Sequence, residues 1–422
     1  MIKLYFRQAI HSLCENKLIS IISISGIAFA IAVMLVVVLM VQIDMVGFAP
    51  ESNRGRTLHV LGTTVKYVDG AKTNNGSMSK EVADVCFYSL QTPEQVTAYT
   101  SVMMPVMVSL PHKRLYKEYT PRYADANYWK VFDYQFLEGK PFSYEDFQSG
   151  AHTVVISEKV AANLFGKASA VGKKIMIDFM EFTVCGVVRN VPLRGMTSFF
   201  ELCMPYTSNE YLLKPSNQFE NMAGRFMVSI LAHSKTDFDA IKSEVDTQVK
   251  KLNSEKKQCQ LNFPSGLLSQ SDIAMGAGFK KADWKTFFIS SGLIMFLLLL
   301  VPALNLIGVI QSAMQKRKEE IGLRKAFGAT NKDLIFQLLV ENMVQTSIGG
   351  VIGIALSIVL LYWGKSFLLI GAVTLTADML FKPWLFLSAI VLTFLLNVLS
   401  AGIPAWITMR QPITEAINGT EN

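Results

Sequence analysis

With 422 residues, 51% of them hydrophobic, and a mean hydropathy of +0.32, the chain is too apolar for an ordinary soluble protein and too polar to lie wholly within a bilayer. Its formal charge of +7 does not mark a nucleic-acid binder, because residues 47–283, between the first two apolar runs, hold 27 basic and 24 acidic side chains in near balance. The composition implies a membrane protein carrying a large soluble insert.

Uncharged runs long enough to cross a bilayer, roughly 18 residues or more, occur at Leu18–Ile43, Thr286–Gln315, Asn342–Gly364 and Pro383–Met409. The first far exceeds the roughly 7–15 apolar residues of a secretory signal core. Pro50 directly follows the only small-residue pattern after it, Gly47-Phe48-Ala49. The run therefore reads as a retained helix. Lys3, Arg7 and Lys17 precede it, and Lys316, Arg317, Lys318, Arg324, Lys325 and Lys332 lie between the second and third runs. The positive-inside rule puts both termini and that charged connector in the cytosol. Predicted boundaries are a cytosolic segment 1–17, transmembrane helices 18–46, 284–315, 331–364 and 383–409, an external domain 47–283, a cytosolic helix 316–330, a short external loop 365–382 and a cytosolic tail 410–422.

Within the insert, Thr57–Leu61, Val102–Leu110, Thr153–Ile156, Lys174–Ile177 and Phe182–Val188 read as strands between turn residues. Pro93–Tyr99, Glu158–Phe165 and Asp237–Leu252 read as helices; in the last, Phe238, Ile241, Val245 and Val249 recur at helical spacing. The expectation is an α+β domain of two lobes, one centred on Tyr123–Pro205 and the other built from the flanking segments. Cys86, Cys185, Cys203 and Cys259 fall in it, free either to form disulfides in three alternative pairings or to serve as small buried hydrophobes. His59, His112, His152 and His233 are scattered without metal spacing and read as surface residues. Gly166 to Lys174 mimics a phosphate loop, but five residues separate its glycines and a second Lys replaces the hydroxyl, so it reads as a turn. No catalytic residues, metal ligands or nucleotide site follow from the sequence.

The apolar runs carry almost no ionisable group at depth, which argues against a path for ions or polar solutes. In the second run, Pro302 removes a helical hydrogen bond and is followed by Asn305, giving a hinge or a static bend. In the third, Gly349, Gly350 and Gly353 include the Gly349-x-x-x-Gly353 spacing that permits close helix packing. Between them, Lys316 to Phe327 is rich in helix formers, with Glu320 four residues ahead of Arg324 and an apolar edge of Leu323 and Phe327. Gly328 is placed as a helix stop, and Thr330-x-x-Asp333 as the opening of the next helix. A rigid lever at the cytosolic face fits these start and stop signals better than a solvated loop.

The run Glu319-Glu320-Ile321-Gly322-Leu323-Arg324-Lys325-Ala326-Phe327-Gly328-Ala329-Thr330 resembles the coupling-helix signature of MacB/FtsX-like ABC transporter permeases. So do Gln337-x-x-x-Glu341-Asn342 with Gly349-Gly350, the closing Pro404-Ala405-Trp406 through Ile417, the opening Asn16-Lys17-Leu18 through Ala28, and Leu164-Phe165-Gly166 through Val188. Trp406-Ile407 and Phe29-Ala30 depart from the family pattern. The resemblance implies one helix, a MacB-like periplasmic core domain and three more helices in a bacterial inner membrane, with an FtsX-like permease region over about 286–415. It implies a non-catalytic permease that binds no cofactor. Glu319, Glu320, Arg324 and Lys325 would make polar contacts, and Ile321, Leu323 and Phe327 apolar ones, with a separate cytosolic ABC ATPase that holds ATP and Mg. A second permease subunit, as homodimer or related heterodimer, is implied, together with a periplasmic adaptor and outer-membrane channel. The expected function is mechanotransmission for efflux of peptides, toxins or amphiphiles. Lipoprotein extraction, with an apolar groove near Gly47–Arg56 and the equivalent loop before Trp284, and activation of an envelope hydrolase as a signalling scaffold are the alternatives.

Overall fold

The structure is a computed structural model that describes residues 17–45, 49–101, 104–111, 116–191, 197–214, 218–275, 283–290 and 330–368, with a few isolated positions elsewhere. It divides into two units: residues 1–41, 285–368 and 374–422, and residues 42–284 with 369–373. Longer helices among the described residues include α1 (Lys17–Met45), α2 (Glu158–Phe165), α3 (Phe238–Glu255) and α4 (Asn331–Leu368).

In the second unit, β1 (Thr57–Val60), β2 (Thr63–Tyr67), β3 (Thr73–Met78) and β4 (Gln95–Thr100) come first. Then follow β5 (Val106–Ser109), β6 (Lys117–Tyr119), β7 (Pro121–Ala124), β8 (Phe136–Gly139), β9 (Thr153–Ser157), β10 (Lys174–Ile177), β11 (Met180–Val188) and β12 (Leu202–Pro205). The chain returns through β13 (Ala223–Gly224), β14 (Phe226–Leu231), β15 (Cys259–Asn262) and β16 (Leu268–Ser269). Hydrogen bonding orders them β15-β2-β3-β14-β4-β7-β12-β9-β11-β10-β5-β6, with β1 on β14 and β8 on β11. Strands β5 to β12 thus form one contiguous block inserted between β4 and β13, and β4 meets that block in a single pair, Tyr99 opposite Ala124. The block begins at Val106, ahead of the expected Tyr123, because β5 pairs with β10 through Ser109 and Val108. One buried cluster holds Leu58 and Val228 of the flanking strands together with Ile156 and Phe182 of the block, so the two groups share a core.

Local chemistry explains the elements that frame this core. The Ser157 hydroxyl caps α2 by accepting from the Val160 amide at 3.4 Å, and Gly166 at φ +65° ends it. That helix and β10 together connect the parallel strands β9 and β11. A Ser234–Asp237 capping box leads into α3, which buries Phe238, Ile241, Val245 and Leu252. Each such side chain contributes about 1.5–3 kcal/mol. The edge of β15 is occupied by Asn253 of α3, whose side chain donates to the Leu261 carbonyl at 2.9 Å and accepts from its amide at 2.7 Å. An open strand edge is thereby removed. In the β8–β11 contact, a Cβ on Gly186 would lie 2.6 Å from the Lys140 carbonyl oxygen, which excludes any larger residue there.

The helix expected at Pro93–Tyr99 is absent. Gln95–Thr100 is strand β4, paired along six residues with β14. Its burial on both faces hides the alternation that marks a half-exposed strand. Cys86, Cys185, Cys203 and Cys259 are all unpaired. Burial pushes the Cys86 and Cys185 thiols up to about 12, so they behave as inert apolar side chains. Gly166 to Lys174 is a turn, with Gly172 at φ +81° leading into β10.

Candidate functional site

The candidate coupling residues, Glu319 to Ala329, lie outside the described residues, as do Pro302 and Asn305. Immediately beyond the coupling residues, helix α4 starts at Asn331, which puts Thr330 at the N-cap position, and runs unbroken for 38 residues to Leu368. At 1.5 Å per residue that is a rod of about 57 Å. Met343–Leu361 within it and Ser20–Val37 within α1 are long and apolar enough to cross a membrane.

Gly349 and Gly353 turn toward α1. A Cβ on Gly349 would stand 2.8 Å from Ile27 Cγ2 and 3.2 Å from the Ile24 carbonyl oxygen. One on Gly353 would stand 2.8 Å from the Ala28 carbonyl oxygen and 2.9 Å from Ile31 Cβ. At Gly350 the approach is looser, and a Cβ there would meet nothing closer than Ile31 Cδ1 at 4.0 Å. Ile27, Ile31 and Leu35 form a buried cluster with Ile354 against them. The helix continues through all three glycines, and Gly349 and Gly353 lie on its contact with α1.

In the second unit, the segment that comes after α1 in sequence is built around a buried ion pair. Arg54 Nε donates to Glu51 Oε2 at 2.6 Å, and both side chains are under 8% exposed. Glu51 Oε1 accepts from Thr197 Oγ1 at 2.9 Å and Ser198 Oγ at 2.5 Å. The Pro50 carbonyl accepts from the Asp133 amide at 2.7 Å. Ala49–Arg56 is thus tied to the β5–β12 block. On the other side, His59 Nδ1 shares a 2.7 Å hydrogen bond with Ser229 Oγ, which is also 2.8 Å from Tyr99 OH. Arg122 lies over the Tyr99 ring at 5.1 Å and donates to the Thr100 and Phe199 carbonyls.

His59, expected at the surface, is only 2% exposed. Strand β1 is covered on both faces, and the residue that satisfies the imidazole lies 170 positions away. His152 and His233 are exposed, and His112 lies outside the described residues. Among the described residues no group of His, Cys, Asp or Glu could hold a metal ion.

These burials set opposing pH responses. Burial holds His59 down at about 4, outweighing the attraction of Glu51. Between about 6.5 and 4 the unfolded chain takes that proton and the native fold does not, so acidification costs about 3 kcal/mol. Asp125 is pushed up by burial to about 6, despite hydrogen bonds from Thr97 and Tyr88. There the native fold binds the proton first as pH falls from about 6 to 4, and stability rises by a similar amount. His59→Gln should therefore give a melting temperature that rises on acidification from pH 6.5 to 4.5 relative to the parent. Asp125→Asn should give the opposite slope. Parallel curves for the two variants in thermal unfolding would show that neither group titrates as its burial dictates.

The family model for the MacB-like periplasmic core domain matches residues 20–248, more than half of the chain, and that for the FtsX-like permease C-terminal region matches residues 292–413. The chain belongs to the MacB/FtsX-like ABC transporter permeases. The first match takes in α1 and most of the extracytoplasmic unit, and the second takes in the candidate coupling residues and α4. YknZ of Bacillus subtilis (strain 168), an uncharacterized ABC transporter permease, is 26% identical over 364 residues, 83% of this chain and 84% of YknZ. The macrolide export ATP-binding/permease protein MacB of Escherichia coli O157:H7 is 25% identical over 253 residues, 58% of this chain. The pyoverdine export ATP-binding/permease protein PvdT of Pseudomonas syringae pv. tomato is 24% identical over 237 residues, 56% of this chain. The matched regions are 36% of MacB and 34% of PvdT, so this permease spans about a third of the length of those relatives. Among solved structures, the extracellular domain of YknZ matches with a TM-score of 0.35 at 19% identity, covering 48% of this chain and 99% of that domain. The periplasmic region of MacB from Actinobacillus actinomycetemcomitans matches with a TM-score of 0.35 at 15% identity, covering 50% of this chain and 90% of that region.

Proposed function

We propose that this permease is the non-catalytic membrane subunit of an ABC-type export or mechanotransmission complex. A separate cytosolic ATPase docks on Glu319 to Ala329, and its ATP-driven closure moves the helices as stiff rods that reshape the extracytoplasmic domain. A second permease subunit completes the membrane part, and a periplasmic adaptor and outer-membrane channel receive a peptide, toxin or amphiphile. The observation that carries this reading is the unbroken helix α4, which starts directly after the candidate coupling residues and packs through Gly349 and Gly353 on α1. A displacement applied at Asn331 has no kink in which to dissipate before Leu368. Lipoprotein extraction would call for an open apolar groove at the loop before Trp284 and near Gly47–Arg56. Instead, Pro50, Glu51 and Arg54 of that segment are buried around an ion pair.

Two experiments test this reading. The double substitution Glu320→Lys with Arg324→Glu keeps a helical ion pair but inverts the surface offered to the ATPase. Stimulation of the co-expressed ATPase should be abolished, with membrane insertion unchanged; normal stimulation refutes the coupling assignment. For topology, Lys117→Cys in a cysteine-free background should react with an impermeant maleimide in intact cells, and Lys318→Cys should react only after permeabilisation. The reverse pattern overturns the orientation.

A further inference from the structure

The flanking strands carry a cavity of about 790 Å³ that the coupling reading leaves unused. It lies beside the end of β3, where β13 pairs Ala223 with Met78 and Gly224 with Ser77 and β14 pairs Phe226 with Met78. The backbones approach closely there: a Cβ on Gly224 would lie 2.4 Å from Ser79 Cα. The helical turns Lys80–Ala83 and Glu210–Leu213 form the remaining walls.

The charges on these walls do not cancel. Lys80 pairs with Asp84 at 2.6 Å, and Glu81 pairs with Lys256 at 2.7 Å while accepting from Asn221. Arg225 and Lys214 remain, and among the described residues neither has a carboxylate partner. Arg225 is not free to wander, because its guanidinium lies 4.7 Å over the Tyr211 ring and donates to Tyr211 OH at 2.8 Å. That contact uses one of five N–H donors and leaves the others available. Tyr211 is 61% exposed and Leu213 is 39% exposed. A fixed guanidinium, an ammonium and an exposed aromatic-aliphatic surface line one cavity.

We infer that this cavity binds an organic anion, a carboxylate carried on an aromatic or aliphatic body. The carboxylate meets Arg225 and Lys214, where the planar guanidinium can bind it through two parallel hydrogen bonds. The body lies on Tyr211 and Leu213. Inorganic phosphate would satisfy the cations and leave the apolar surface bare; an organic cation would meet two like charges. As a cargo-recognition site this rests on the proposed export function, whereas the binding itself needs no ATPase.

The test uses the full chain in lipid nanodiscs and naphthalene-2-carboxylate as the probe, followed by its fluorescence anisotropy. Saturable binding is expected, weakened about tenfold by Arg225→Gln or by Lys214→Gln and lost in the double variant. Both side chains are exposed, so the melting temperature should stay at the parent value. Naphthalen-2-ylmethylammonium should not compete, and inorganic phosphate should compete at least tenfold more weakly than the carboxylate. No saturable binding at millimolar probe, equal binding by the double variant, or equal competition by the ammonium analogue would each overturn the site. A failure here leaves the Glu320/Arg324 result untouched, and failure of that coupling test leaves the anion site standing.

Discussion

Glu51→Ala is expected to lower the unfolding free energy of the extracytoplasmic domain by about 3–5 kcal/mol, the loss expected when one member of a buried ion pair is removed. The substitution takes the carboxylate from Arg54, which is 7% exposed, and removes the acceptor for Thr197 and Ser198, both themselves buried. Burial alone would raise the pKa of Glu51, but the Arg54 guanidinium and the Ser198 hydroxyl outweigh it and hold the carboxyl below the usual range. The pair's contribution is therefore present above the ordinary carboxylate pKa and is lost as pH falls through the lowered value. Urea unfolding of the purified chain, followed by tryptophan fluorescence at pH 7, measures the loss. Glu51→Leu combined with Arg54→Met should recover much of it, because an apolar pair of similar size leaves no buried charge. A single-variant loss below about 1 kcal/mol would mean that water reaches the pair and that Ala49–Arg56 is not anchored by it.

Much of this architecture was legible in the sequence wherever a segment's environment is uniform along its length. Glu158–Phe165 and Lys174–Ile177 match their observed limits because one face is buried and the flanking Ser157, Gly166 and Gly172 carry the stop and turn chemistry. The same reading failed at Gln95–Thr100, a strand set between β14 and β7 whose burial on both faces erases the period of two. The polar core was invisible for a different reason. Glu51 meets Thr197 across 146 residues, and His59 meets Ser229 across 170, so no local pattern distinguishes them from surface groups. Glu51-x-x-Arg54, an acid and a base three apart just after an apolar run, was the one local hint. The membrane glycines were legible as a pattern, but which of the three pack closely on α1 depends on helix rotation, which spacing alone does not set.

That rotation gives a prediction with opposite signs on neighbouring residues. Gly349→Ala and Gly353→Ala should destabilise the detergent-solubilised protein, because each added methyl meets a backbone carbonyl oxygen or the branch point of Ile27 or Ile31 near 3 Å, groups that cannot swing aside. Overpacking of this kind costs about 1–3 kcal/mol, against up to about 1 kcal/mol recovered from the better helix propensity of alanine. Gly350→Ala meets nothing closer than Ile31 Cδ1 at 4.0 Å, so only the propensity gain remains and the variant should be neutral or more stable. Isoleucine at position 353 should do more than alanine and separate α1 from α4 altogether. If α4 transmits force as part of a packed pair, the 349 and 353 variants should also lose stimulation of the partner ATPase while the 350 variant keeps it. Thermal unfolding and ATPase assays on the three alanine variants decide the matter. Equal behaviour of all three would mean that the helix face bearing Gly349 and Gly353 does not hold α1, and that the rod works without that brace.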